Sequence, residues 1–275
     1  MTDTRRPEPL RSGVAVDRAT VAVDGASVGV VDGDPSQHVV LAHGFTQTAR
    51  SWDVLVPLLA ERLPTASFSA VDLPGHGTAT RLRRDLWRSA DHLARTGGPG
   101  TFVGYSMGGR VALHAALRFP DVVRRLVLIG ATAGIMDRAE REARRLADQA
   151  LADSIMRRSL PNFLDDWLSL PLFAGLTEET DQRADRLRNT RAGLASSLRL
   201  CGTGTQEPLW DRLGEIGCPT LVLAGEDDPK FTELGRRLAD SIPSAELVVV
   251  AGSGHSVHLE APVATADTIG AFLSR

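Results

Sequence analysis

The chain has 275 residues, of which 43% are hydrophobic and 24% charged, and its formal net charge is −3 at pH 7. This balance is that of a globular protein and excludes a disordered chain. The slight negative charge also excludes the overall basic surface that nucleic-acid-binding proteins present. A chain of this length can form one large α/β core.

Cysteine usage and the amino-terminal segment bear on the compartment. Two cysteines, Cys201 and Cys218, are too few for a disulfide framework or a zinc site and are typical of a reducing compartment. Residues 1–13 are polar and lack a signal-peptide core, and no apolar run approaches the ~18 residues that a membrane helix needs. We therefore predict a cytoplasmic protein without membrane insertion, nucleic-acid partner, metal or cofactor, and the oligomeric state stays open.

Apolar runs alternate with amphipathic segments along most of the chain. Val-rich runs around Asp24-Gly25 predict an amino-terminal hairpin. The pattern then predicts strands at 38–42, 66–72, 101–105, 126–130, 220–225 and 246–251, and helices at 52–63, 86–95, 108–119, 233–241 and 261–273. Such alternation predicts a mostly parallel central sheet with helices on both faces.

The alternation is interrupted after the strand Leu126–Gly130. Residues 131–213 contain no convincing strand, and their apolar residues recur at helical spacing. We predict that 131–213 form a helical lid inserted into an α/β core made of residues 1–130 and 214–275.

A candidate nucleophile lies between a predicted strand and a predicted helix. Residues 104–108 read Gly-Tyr-Ser-Met-Gly, which fits the pattern G-x-S-x-G. The glycines permit a sharp turn that exposes Ser106 above the sheet, at a helix amino terminus where developing negative charge is favoured. A bare five-residue pattern is weak, but this strand–turn–helix context favours Ser106 as a nucleophile or base.

A catalytic serine needs a base and an orienting acid. His255 lies on the loop after the last predicted strand, and Asp228 on the loop after the strand before it, so the order is serine, acid, histidine. Asp228 is preferred to Asp227 because it lies three residues past the strand end, in a G-x-x-D turn that begins at Gly225. His258 is a less favoured alternative to His255.

Backbone amides should stabilise the negative charge that develops in such a site. The N–H of Met107 follows the nucleophile, and the N–H of Phe45 lies in the His43-Gly44-Phe45-Thr46 loop after the first core strand. We predict that these two form the oxyanion hole. The turn at 72–77 is interpreted as structural, and His114 as helix packing.

These motifs together resemble the α/β-hydrolase superfamily, a fold that hosts esterases, lyases, dehalogenases and peroxidases. Arg110, Arg144 and Arg188 are unusual in this setting, since ester pockets are mostly apolar. Guanidinium groups bind carboxylates in bidentate fashion, so they favour a small anionic substrate with several carboxylates. The alternative for each is a solvated surface arginine, because Lys230 is the only lysine and arginine supplies nearly all the positive charge.

Three segments resemble one family within this superfamily, the 2-succinyl-6-hydroxy-2,4-cyclohexadiene-1-carboxylate synthases of menaquinone (vitamin K2) biosynthesis. They are residues 104–110, 166–175 and 202–210, and the acid loop 225–231 is also similar. The resemblance implies a lyase that eliminates pyruvate without water or cofactor. It implies that Ser106, activated by His255 and Asp228, removes a ring proton, and that the substrate is bound by Tyr105, Arg110, Arg144, Trp167 and Arg188. Core packing is the alternative for Tyr105, and anchoring of the lid for Trp167.

Two other classes of function remain open. A serine esterase, or a hydrolase that cleaves a carbon–carbon bond, would use the same triad through an acyl-enzyme. A non-catalytic scaffold of this fold would usually lack a triad member, whereas all three candidates are present in this chain.

Overall fold

The computed structural model describes residues 19–23, 26–31 and 34–275. One eight-stranded sheet runs through it, with the spatial strand order β1-β2-β4-β3-β5-β6-β7-β8. The two amino-terminal strands pair antiparallel, and the other six are parallel. In chain order the strands are β1 (Ala19–Val23), β2 (Ala26–Val31), β3 (Asp34–Ala42), β4 (Ala66–Val71), β5 (Gly100–Tyr105), β6 (Val123–Ile129), β7 (Thr220–Gly225) and β8 (Ala245–Val250).

Helices cover both faces of this sheet, because the strands are apolar on both sides. Along β3, Val39 and Leu41 pack into one cluster of buried side chains, and Val40 and Ala42 into the other. The first cluster includes side chains of the helices α1 (Leu55–Arg62) and α10 (Pro262–Leu273), and the short α9 (Val257–Glu260) precedes the latter. The second cluster includes side chains of α2 (Leu86–Gly97), α3 (Met107–Arg118) and α8 (Pro229–Ser241).

The chain between β6 and β7 forms a separate helical layer over the carboxyl ends of the strands. The helices of this layer enclose a small apolar core of their own that includes Ile155, Phe163 and Leu198. Thr190 and Ser159 cap two of the helices by accepting a backbone N–H with the side chain. The helices are α4 (Arg138–Arg157), α5 (Leu160–Leu168), α6 (Arg183–Arg186) and α7 (Arg191–Cys201), and we call residues 131–213 the lid.

The predicted fold class, a mostly parallel sheet flanked by helices, is confirmed. The hairpin is present as the antiparallel pair β1–β2, although the turn residues 24 and 25 lie outside the described residues. The helix expected at 52–63 begins only at Leu55, because residues 49–52 form a separate 3₁₀ turn capped by Thr48. Within the described part of the chain, no helix is long and apolar enough to cross a membrane.

Candidate active site

Ser106 occupies a strained turn between β5 and α3. Its φ is +51° and its ψ is −106°, a conformation that side-chain-bearing residues rarely adopt. The flanking glycines are required sterically, since a Cβ at Gly104 would lie 2.5 Å from the carbonyl oxygen of Gly108, and one at Gly108 would lie 2.1 Å from that of Ala42. Strain of this kind is concentrated at functional sites.

The loops after β7 and β8 bring two further polar side chains to this serine. Nε2 of His255 lies 3.2 Å from Oγ of Ser106, and Nδ1 lies 2.9 Å from Oδ2 of Asp228. His255 is 2% exposed and Asp228 is 8% exposed, whereas Asp227 faces solvent. The geometry therefore favours Asp228 over Asp227. The three side chains form a hydrogen-bonded chain from serine to histidine to carboxylate, an arrangement that can activate a hydroxyl.

A carboxylate that the sequence analysis missed holds the histidine loop in place. Glu260 accepts the backbone N–H groups of Gly254 at 2.6 Å and of Ser256 at 2.8 Å, the residues on either side of His255. The hydroxyl of Tyr105 is hydrogen-bonded to that of Ser256 at 2.8 Å. The spacing Ser256-x-x-x-Glu260 at the start of α9 was the available signal, because acidic residues in a first helical turn commonly bind backbone N–H groups.

His258, the alternative base, has a different environment. It is fully buried, with its ring 4.8 Å from that of Trp52 and 4.3 Å from that of Tyr105. Burial lowers the pKa of His258 to about 3, so the imidazole stays neutral. The hydrogen bond to Ser106 is made by His255 and not by His258.

A cavity of about 800 Å³ opens above Ser106 between the core and the lid. Its wall includes both residues whose N–H groups are predicted to form the oxyanion hole, Phe45 and Met107. Eight of the predicted site residues line this cavity: Phe45, Tyr105, Ser106, Met107, Arg110, Arg144, Trp167 and His255.

Arg110 and Arg144 lie on one side of this cavity. The Arg110 side chain donates to the carbonyl oxygen of Cys201 at 2.7 Å and to Gln206 at 3.2 Å, and it is only 7% exposed. Burial lowers the pKa of Arg110 to about 10, which still leaves it charged at neutral pH. Arg144 is oriented by Asp148, with Nε 2.8 Å from Oδ1. Both guanidinium groups are therefore held in defined positions.

The structure does not place Arg188 in the wall of the cavity, and Arg186 lies there instead. The Arg188 side chain is 54% exposed, pairs loosely with Asp185 at 3.9 Å and does not line the cavity. Arg186 lines the cavity and is 1% exposed. Its Nη1 donates to Thr46 and its Nε to the carbonyl oxygen of Asp181 at 2.7 Å, while Nη2 is buried with no partner among the described residues.

Trp167 lies on the lid side of the cavity. Its ring contacts those of Phe45, Phe163 and Phe173 at centroid distances of 5.2, 6.0 and 5.6 Å. Its Nε1 is buried, with no hydrogen-bond partner in the part of the chain that the structure describes. Trp167 thus packs the lid against the loop that carries Phe45 and also forms part of the cavity wall.

The rim of the cavity carries charged residues that the sequence analysis did not select. Lys230 and Arg237, seven residues apart on α8, line it together with Asp137 and Glu140 at the start of the lid. The guanidinium of Arg237 stacks on Trp210 at 4.2 Å. Among the described residues, no cluster of three or more histidine, cysteine or acidic side chains is arranged to hold a metal ion.

Comparisons with known proteins agree with this architecture. The Alpha/beta hydrolase family matches residues 39–268. A protein of Bacillus subtilis (strain 168), provisionally named 2-succinyl-6-hydroxy-2,4-cyclohexadiene-1-carboxylate synthase, is 36% identical, with 91% of this chain and 96% of that protein aligned. The 2-succinyl-6-hydroxy-2,4-cyclohexadiene-1-carboxylate synthase of Salmonella heidelberg (strain SL476) is 31% identical, over 88% of this chain and 94% of its own length.

Among solved structures, that of MenH from S. aureus has a TM-score of 0.80 and 31% identity, covering 90% of this chain and 97% of that one. The match to the family, the sequence identities and the shared fold extend over nearly the whole chain. The chain therefore belongs to the alpha/beta hydrolase family, and within it to the family of 2-succinyl-6-hydroxy-2,4-cyclohexadiene-1-carboxylate synthases.

Proposed function

We propose that this protein is a lyase that eliminates pyruvate from 2-succinyl-5-enolpyruvyl-6-hydroxy-3-cyclohexene-1-carboxylate. The product is 2-succinyl-6-hydroxy-2,4-cyclohexadiene-1-carboxylate, an intermediate of menaquinone biosynthesis. The observation that carries the proposal is the placement of three arginines, Arg110, Arg144 and Arg186, in the wall of a cavity whose floor holds Ser106. The substrate has three carboxylates, and guanidinium groups match carboxylates in charge and shape.

The chemistry starts with the removal of a ring proton next to the succinyl ketone. The Ser106 hydroxyl, made basic by His255, accepts this proton while passing its own to Nε2, and Asp228 stabilises the imidazolium that forms. Negative charge moves onto the ketone oxygen. The N–H groups of Phe45 and Met107 would receive that oxygen, which lowers the barrier to proton removal.

The second step breaks the bond between the ring and the enolpyruvyl oxygen. Electrons from the enolate re-form the ketone and move through the ring to give the diene, and pyruvate leaves as its enol after taking up the proton from His255. One C–H bond and one C–O bond are broken, and no water is consumed. The arginines act by positioning the substrate, so that the proton lies against Ser106.

A pyruvate-coupled assay with this substrate tests the proposal. We expect one pyruvate per substrate, with no ¹⁸O from labelled water in the ring product and little turnover of p-nitrophenyl esters. The same triad would also support an esterase or carbon–carbon hydrolase. Rapid ester hydrolysis with a burst, together with no pyruvate from the cyclohexene substrate, would contradict the lyase proposal and favour that alternative.

A further inference from the structure

A group of hydrogen bonds joins the lid to the loop that carries Phe45, and the proposed chemistry does not account for it. We call residues 182–189 the lid latch and residues 43–51 the oxyanion loop. Asp185 of the latch accepts the Thr48 hydroxyl at 2.6 Å and the Thr48 N–H at 3.2 Å. Gln182 donates to the carbonyl oxygen of Ser51 at 3.0 Å. Polar contacts of this number, between segments more than 130 residues apart, fix the position of one relative to the other.

Asn189 is the most connected residue of the latch. Its Nδ2 donates to the carbonyl oxygen of Thr46 at 2.6 Å and to that of Arg186 at 3.1 Å, and its Oδ1 accepts the N–H of Gly77 at 2.9 Å. The side chain is 5% exposed. Asn189 thus bridges the lid, the oxyanion loop and the turn after β4.

Thr46, the residue after Phe45, has a backbone conformation that is unfavourable for a β-branched residue. Its φ is +68°, in the left-handed region where a β-branched residue is rare. It is fully buried, and the latch binds both of its acceptor groups, the hydroxyl through Arg186 and the carbonyl through Asn189. Unfavourable backbone conformations persist only where the surroundings impose them, and they cluster at functional sites.

We propose that Asn189 is a positioning residue for the reaction. By holding the carbonyl oxygen of Thr46, it keeps Thr46 in the left-handed conformation, and this fixes the turn that carries Phe45, a cavity-lining residue whose N–H is the proposed oxyanion donor. The inference rests on the proposed function, in which that N–H receives the enolate oxygen. Arg186 lies in the same latch and donates to the hydroxyl of the same Thr46. Thr46 therefore links the arginine proposed to bind a substrate carboxylate with the turn proposed to form the oxyanion site.

Steady-state kinetics of two variants test this role. In Asn189→Ala both the donor and the acceptor are lost, whereas Asn189→Asp keeps an oxygen for the N–H of Gly77 but cannot donate to Thr46. We expect kcat for pyruvate release to fall about 10- to 100-fold in both variants, with KM changing less than about threefold, since one misplaced oxyanion donor affects mainly the transition state. The matched control is Asn162→Ala, an exposed asparagine of α5, which should behave as wild type.

A purely structural role would lower the melting temperature and leave kcat unchanged, and this outcome would overturn the proposal. Thr46→Gly gives a second measurement, because glycine adopts a positive φ without steric cost. In the double variant Asn189→Ala/Thr46→Gly, kcat should exceed that of Asn189→Ala several-fold. Losses that simply add would mean that Asn189 does not act through Thr46.

A crystal structure of Asn189→Ala separates this inference from the proposed function. We expect Thr46 to leave the left-handed region, and a φ that stays near +68° would overturn the inference whatever reaction the enzyme performs. A wild-type protein that releases no pyruvate would instead contradict the proposed function, and the Thr46 conformation in the variant would still decide the role of Asn189.

Discussion

The α/β core and the lid supply different kinds of side chain to one cavity. The core provides the proposed proton-transfer groups Ser106, Asp228 and His255, each on a loop or turn that directly follows a strand. The lid provides two of the arginines, Arg144 and Arg186, on helices that the sheet does not position. The proposed proton-transfer groups therefore all lie in the core, whereas the arginines proposed to bind the substrate come from both parts, with Arg110 on α3 of the core.

This division teaches how each kind of position is specified. A residue at the end of a parallel strand is fixed by the sheet, so a short local motif is enough to place it. A residue on a lid helix is fixed by contacts with distant segments, as Arg186 is by Thr46 across 140 positions of sequence. Changing a proton-transfer group of the core should accordingly lower kcat, and changing an arginine of the lid should mainly raise KM. The positioning residue Asn189 is the lid residue expected to affect kcat.

The largest effect is expected in the core. Ser106→Ala should lower kcat for pyruvate release about 10³-fold or more, since the alanine cannot accept the ring proton, while the melting temperature changes little. The measurement is single-turnover pyruvate release, with the exposed Ser244→Ala as control. Nearly unchanged activity would mean that another group, such as His255 itself, removes the proton.

A smaller effect is expected in the lid. Arg186→Gln should lower kcat/KM for pyruvate release about 10- to 100-fold, mostly through KM, since a hydrogen bond to a charged group contributes roughly 1.5–3 kcal/mol. Arg183→Gln is the matched control on the same helix, because the Arg183 side chain is 40% exposed and pairs with Asp165. A loss confined to the melting temperature would show that Arg186 only braces the lid.

Features of the core were easier to predict from the sequence than features of the lid. The strands from β3 to β8 and the turn at Ser106 could be predicted because apolar runs and glycine positions are local signals. Asp228 could be preferred to Asp227 for the same reason. The position of Arg188 outside the cavity could not be foreseen, since Arg186 ends a four-residue helix and Arg188 lies just after it, and only contacts with the oxyanion loop turn Arg186 inward. Glu260 had a local signal in its spacing from Ser256, whereas Asn189 had none, because its partners are backbone groups on segments far away in the sequence.

Acid should destabilise the core before the lid. Burial lowers the pKa of His43 and His114 to about 4 and that of His76 and His258 to about 3, and the lid contains no histidine. The unfolded chain takes up these protons near pH 6.5 and the folded chain does not. The free energy of unfolding is therefore highest above pH 6.5 and falls as the pH drops toward 4, by at most ~1.4 kcal/mol per pH unit for each histidine.

Urea unfolding at pH 7 and pH 4.5, followed by tryptophan fluorescence, measures this slope. His114→Gln should reduce the difference between the two pH values, since one of the depressed histidines is then absent. This histidine is the suitable choice because its ring packs against Trp87, away from the triad. An identical pH dependence in the variant would show that His114 does not contribute to the acid sensitivity of the core.

The smallest effect is expected where the lid faces solvent. Arg188→Ala should leave kcat/KM for pyruvate release within about twofold of wild type and the melting temperature nearly unchanged, because exposed ion pairs contribute about 0–1 kcal/mol. The measurement is kcat/KM for pyruvate release, determined side by side for Arg188→Ala and Arg186→Gln. The two arginines are only two residues apart, at the end of α6 and just after it. If Arg188→Ala instead loses tenfold or more, the lid must rearrange around the bound substrate to bring Arg188 into the cavity. The contrast between an inward Arg186 and an outward Arg188 would then hold only for the unbound protein.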